Sequence, residues 1–129
     1  MTKPIRRDLL QDNFDGLLRL RDGWGKERKG KAPDVAGLAW LSAVLQSVWP
    51  DNPPITIFGE LDGNVTASWG YGRNIASLKI DLRTHQGMWS LVSFIPLASF
   101  TRTLDLDQVA NWTRIVNDLT HYYVLAHHG

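Results

Sequence analysis

The residues best equipped for chemistry crowd the C-terminal end: His121, Tyr122, Tyr123, His127 and His128. Metal ligation from a helix needs histidines four apart, so that both imidazoles reach one ion. The residue four after His121 is Leu125, and His128 lies about two turns on. That spacing speaks for a surface helix with incidental histidines, and no metal is expected. Asp118 and His121, three apart, stand close enough to pair. A base oriented by a carboxylate still needs a nucleophile within reach, and no Ser or Thr sits in a tight glycine-flanked elbow. Asp105 and Asp107 look like paired acids, yet acids in a first helical turn are already favoured by the helix dipole. Gly70-Tyr71-Gly72 lacks the third glycine of a dinucleotide fingerprint. Asn64-Val65-Thr66 and Asn111-Trp112-Thr113 match the glycosylation pattern, which has meaning only in a secreted chain. No residue is assigned as catalytic or cofactor-binding, and no cofactor is implied.

Two other groups carry a binding chemistry. Between Arg19 and Lys31 six basic residues stand against Asp22 and Glu27, a local charge of +4 in a chain whose total is +1. Arg21, Lys26, Arg28, Lys29 and Lys31 would supply salt-dependent attraction to phosphates, and Trp24 a stacking face. The plainer reading is a solvated loop whose tryptophan folds back onto the core. The segment lacks the residue order of a phosphate-binding P-loop. The second group is Trp69, Tyr71, Lys79 and Asp81, which would line a small-molecule cleft or minor enzymatic site beside the sheet. Lys79 and Asp81 read equally well as a solvent-facing strand surface.

These residues must be positioned by elements, and size limits what those elements form. A chain of 129 residues with 43% hydrophobic and 21% charged residues fits one domain, 1–129, with a core of its own. The absence of cysteine excludes a disulfide framework and thiolate chemistry and suits a reducing compartment. No apolar run follows the basic pair Arg6-Arg7, as a secretory leader would require. No run approaches the ~20 residues that span a bilayer. The expected location is cytoplasmic, by elimination.

Helical periodicity runs from Pro4 to Arg21, with Leu9, Leu10, Phe14, Leu17, Leu18 and Leu20 on one arc. Asp22-Gly23 ends it, and Gly23 to Lys31 is a glycine-punctuated loop. Asp34 is placed to cap a second helix that stops at Pro50. From Val35 to Trp49 that helix has no charged residue. Leu38, Trp40, Leu41, Val44, Leu45, Val48 and Trp49 therefore read as more apolar surface than one small protomer hides, and as a possible dimer interface. Strands are expected over Ile55 to Leu61, Val65 to Tyr71, Ile75 to Leu82 and Met88 to Ile95, with Asp62-Gly63 a hairpin turn. A last helix begins near Asp105, with Gln108 closing a capping box. Its seam is Val109, Trp112, Val116, Leu119, Tyr123 and Ala126, and Asp118 and His121 lie on its wet side. Six tryptophans are many for this length. They read mostly as core, with some available for an interface.

Several of these features recur together. They are Leu17 and Leu20, Gly23-Trp24-Gly25, Pro33, Ala39 to Leu45, Pro54, Asp62-Gly63-Asn64-Val65 and Trp69. Over Leu17 to Leu82 this layout resembles a family of small bacterial proteins of unassigned activity, some carried on mobile elements. The family often has an acidic residue after Gly-Trp, where this chain has Gly25-Lys26. The resemblance implies an α+β layout and supplies no established activity, and no catalytic residue is carried over.

The sequence thus points to an α+β fold of order α-α-β-β-β-β-α, a roughly four-stranded antiparallel meander packed with helices. The preferred function is a non-enzymatic protein–protein interaction domain, a homodimer of the mobile-element type, with an unidentified protein partner as a further possibility. The alternatives are nucleic-acid or phospholigand binding by residues 19–31, and the cleft at Trp69, Tyr71, Lys79 and Asp81.

Overall fold

The structure, a computed structural model, describes residues 5–50, 53–71, 74–94 and 97–128. Side chains are described for all of these except residues 5–9, 71 and 123–128. The order is α1 (Ile5–Leu18), a short 3-10 turn (Lys26–Arg28), α2 (Val35–Val48), β1 (Ile57–Gly59), β2 (Val65–Tyr71), β3 (Asn74–Ile80), β4 (Gln86–Phe94), β5 (Leu97–Asp105) and α3 (Val109–His128). All five strands are antiparallel and lie in sequence order across one sheet. The expected α+β class and meander hold.

One strand exceeds the expected four. β5 pairs with β4 along its whole length, from Gln86↔Asp105 to Phe94↔Leu97. Its segment, Leu-Ala-Ser-Phe-Thr-Arg-Thr-Leu-Asp, lacks a clean apolar alternation because it is an edge, covered less than its neighbours. Ala98 and Phe100 are half-buried and Arg102 exposed where a central strand would carry buried aliphatics. β1 is shorter than the expected Ile55 to Leu61. Ile55 is buried but belongs to the approach to the strand.

The three helices pack on one face of the sheet. Period-two alternation sends Ile57, Val65, Ala67, Trp69, Ala76, Leu78, Ile80, Trp89, Leu91 and Leu104 to that side. There they join Leu10, Phe14 and Leu17 of α1, Leu38, Leu41 and Leu45 of α2, and Trp112, Ile115 and Leu119 of α3 in one core cluster. Asp34 caps α2 as expected, its carboxylate accepting the Gly37 N–H at 2.8 Å.

The expectation for α2 needs correction. Leu38, Leu41, Leu45 and Trp49 are at most 4% exposed within the protomer, and Trp40, Val44 and Val48 are half-buried. The helix lacks charge because α1, α3 and the sheet take up its large side chains. Its solvent side is made of Val35, Ala36, Ala39, Ala43, Gln46 and Ser47. The capping box at Asp105 does not form either. Its carboxylate accepts the Asp107 N–H at 3.0 Å in a tight turn, and α3 starts at Val109.

Four tryptophans form the centre of the core. Trp49 stacks on Trp69 at 5.7 Å, and Trp112 and Trp89 meet that pair edge-on. Each indole N–H is satisfied: by Pro53 O for Trp49, Pro54 O for Trp69, Asp118 Oδ2 for Trp89 and Leu106 O for Trp112. Asp118, expected on the wet side beside His121, is half-buried and holds Trp89 instead.

Candidate functional site

The residues that the helices leave uncovered share the other face of the sheet. Phe58, Ile75, Met88, Val92, Phe94 and Leu97 all point there, and they are six of the ten exposed large hydrophobic side chains among the described residues. The cross-strand register groups them. Ile75 lies opposite Val92, and Phe94 opposite Leu97, which is 83% exposed. Around them stand Ser68, Ser77, Ser90, Ser99, Thr101 and Thr103. Among the described residues the charged side chains on this face are Lys79 and Asp105, both away from the Ile75–Leu97 end.

The two sheet edges differ. At β1 the Asn13 side chain of α1 takes both outward backbone groups of Ile57, donating to its C=O and accepting from its N–H, each at 2.7 Å. Trp24 and Leu20 then lie against Gly59, where an added Cβ would sit 3.0 Å from Leu20 and 3.3 Å from Trp24. That edge is sealed. At β5 the parity of the ladder is set by the Leu106 N–H donating to His85 O. The even residues of β5 therefore bond to β4, and Leu97, Ser99, Thr101 and Thr103 present N–H and C=O outward. No other described strand pairs with β5. No proline interrupts residues 97–105, and the register has no bulge.

The basic loop is built around its own tryptophan. Trp24 donates its indole N–H to Lys31 O at 2.6 Å and forms a backbone bridge with Gly30, where a Cβ would sit 2.3 Å from Trp24 O. Gly23 and Gly25 supply the positive φ that the turns require. Trp24 is thus committed to the fold rather than held out for stacking. Arg21 closes the end of α1 by donating to Leu18 O, and Lys29 pairs with Glu27 at 3.0 Å. Lys26, Arg28 and Lys31 are exposed.

The expected cleft is divided by the sheet. Trp69 is on the inner face, buried, while Lys79 is on the outer face. The Tyr71 backbone pairs with Asn74 at the far end of β2, and its side chain lies outside the described residues. Lys79 and Asp81 do come together with Asp62, whose carboxylate lies 3.3 Å from Lys79 Nζ, beside a shallow cavity of about 280 Å³. Both acids are turn-formers. The backbone N–H of Thr84, then that of Arg83, holds the Asp81 carboxyl below its ordinary range. The Asn64 N–H, and after it Lys79, does the same for Asp62.

One constellation had no sequence signal. His85 Nδ1 lies 2.8 Å from Asp107 Oδ1, and its ring stacks on Trp40 at 3.7 Å, nearly parallel. The three residues come from the β3–β4 turn, the approach to α3, and α2, so no local spacing links them. A carboxylate-oriented histidine is an arrangement general bases use. Of the pair only Asp107 lines a 260 Å³ groove, together with Trp40, Val44, Val48, Leu106, Val109 and Trp112. Among the described residues no nucleophile is hydrogen-bonded to it, so its visible effect is to tie the turn to two helices.

Among the described residues no group of three or more His, Cys, Asp or Glu is arranged to hold a metal, and no helix is long and apolar enough to cross a membrane. His121 is exposed, and the His127 and His128 side chains lie outside the described residues. Compared with protein-family models, curated proteins and solved structures, the chain matches none.

Proposed function

We propose that this chain is a non-enzymatic protein-interaction domain that works as a homodimer, associating through the sheet rather than through α2. The observation that carries the reading is the side of the sheet that the helices leave uncovered, whose apolar end at Ile75, Val92, Phe94 and Leu97 runs out to β5, an edge that no other described strand pairs. A second copy suits it because, among the described residues, the apolar end carries no charge, so these side chains set up no like-charge repulsion between two copies. The accessory role on a bacterial mobile element, prompted by the resemblance over Leu17 to Leu82, belongs to the same proposal and is tested by the genes beside the coding sequence.

Size-exclusion chromatography with light scattering at micromolar concentration should give twice the 14.6 kDa chain mass. A clean monomer removes the homodimer. Ala39→Glu with Ala43→Glu, on the exposed side of α2, should leave the dimer mass unchanged. Dissociation by that pair would return the interface to α2.

A further inference from the structure

We propose that two copies join through β5, antiparallel about a two-fold axis beside Phe100, so that their five-stranded sheets become one of ten. The inference rests on the homodimer reading and adds which part of the sheet is used and in what register.

The argument starts from the two edges. An uncovered row of backbone donors and acceptors is a template for another strand, and native sheets normally blunt it with proline, bulges, charge or a covering element. At β1 this chain does so: the strand is three residues long and Asn13 occupies both outward groups of Ile57. At β5 none of those devices is present among the described residues. The strand is nine residues long, unbroken and without proline, and its one charge before the terminal Asp105 is Arg102. Arg102 does not cross the edge, because its guanidinium lies over the Phe100 ring at 4.9 Å.

The register follows from which groups are free. The outward residues are Leu97, Ser99, Thr101 and Thr103. Asp105 does not extend the row, because its carbonyl already accepts from Gln108 N and Asn111 Nδ2. One two-fold antiparallel pairing uses all four and strands none: Leu97 against the partner's Thr103, and Ser99 against the partner's Thr101. Each such pair exchanges two bonds, giving about eight across the seam. Shifting the axis to Thr101 sets Leu97 against the occupied Asp105, and shifting it to Ser99 sets Thr103 against position 95, outside the described residues.

Side chains agree with this register. Phe100 meets the partner's Phe100 on the helix side, a close cross-strand aromatic pair. Arg102 lies opposite the partner's Ala98, so the two guanidinium groups are kept apart. On the outer face Leu97 comes beside the partner's Thr103, with the partner's Met88 next in that row.

The absence of cysteine makes the test specific, since any introduced thiol is the only one. Phe100→Cys places two thiols across the axis, within the Cα separation a disulfide accepts. Under mild oxidation it should become a covalent dimer. Arg102→Cys alone should not, whereas a mixture of Arg102→Cys and Ala98→Cys chains should cross-link to each other. Thr101→Pro removes an outward N–H, a change tolerated at a free edge. It should give the monomer mass with an unchanged circular dichroism spectrum, while Phe94→Glu, on the open face, stays dimeric. If Phe94→Glu is monomeric and Thr101→Pro dimeric, the face is the interface; this inference falls and the homodimer reading survives. A dimeric wild type whose Phe100→Cys variant does not cross-link overturns the register. If Thr101→Pro fails to fold, the cysteine series decides alone. A wild-type monomer throughout ends both readings.

Discussion

At the scale of single residues, the tryptophans show how polar partners fix an apolar core. Trp89 is fully buried, and its indole N–H ends on Asp118 Oδ2 at 2.9 Å. Asp118→Ala should strand that donor and cost about 1–3 kcal/mol in urea unfolding, with Asp118→Asn costing less because it keeps an acceptor. Asp81 acts through its turn. Its carboxyl titrates below the ordinary 3.8, so the charged form is the one the fold prefers. That contribution is complete above pH ~4 and is lost as pH falls through the lowered folded value. Asp81→Asn, which keeps an acceptor for the turn but cannot titrate, should flatten the fall in melting temperature between pH 4 and 2. An unchanged acid limb would show that Asp81 is not among the groups responsible. The Trp24 ring and His85 could not have been placed from sequence, since their partners Gly59, Asp107 and Trp40 are remote in the chain.

At the scale of elements, helix propensity and packing disagree at Gly37. In an isolated helix Gly→Ala gains about 1 kcal/mol. Here a Cβ would sit 2.4 Å from Leu82 O and 2.5 Å from its Cβ. Neither a backbone carbonyl nor a buried neighbour yields cheaply, and overpacking costs about 1–3 kcal/mol. Gly37→Ala should therefore lower the urea midpoint, and a raised midpoint would mean that α2 is free to shift from Leu82. The helices and β2, β3 and β4 were legible because each repeats its apolar residues at its own period. β5 was not, because an edge strand buries too little of one face to enforce alternation. The start of α3 was misjudged because an Asp105 carboxylate serves a tight turn as readily as a helix cap.

At the scale of the whole molecule, the basic loop and the proposed β5 contact lie at opposite edges of the sheet. The basic loop packs against β1 through Trp24 and Gly59, and β5 is the far edge of the sheet. Arg28→Glu, Lys29→Glu and Lys31→Glu together should leave the oligomeric mass unchanged. Each site is exposed, so the combined variant should also melt within a few degrees of the wild type. Salt from 50 to 500 mM should move the monomer–dimer balance little, because an edge pairing of backbone groups releases few counterions.

The amino-acid pattern alone determined the class of fold, the sheet's sequential order, the cap of α2 and the tryptophan-rich core. These follow from local periods and short-range hydrogen bonds, which a chain carries wherever it is read. It also led to the expectation that the uncharged second helix carries more apolar surface than one protomer hides. Tertiary packing decided otherwise. Three helices share one side of the sheet and bury Leu38, Leu41 and Leu45 of α2 in a common core, while Phe58, Ile75, Met88, Val92, Phe94 and Leu97 stay exposed on the opposite face. Burial is a property of neighbours in space, and nothing in the composition of a single segment reports who those neighbours are.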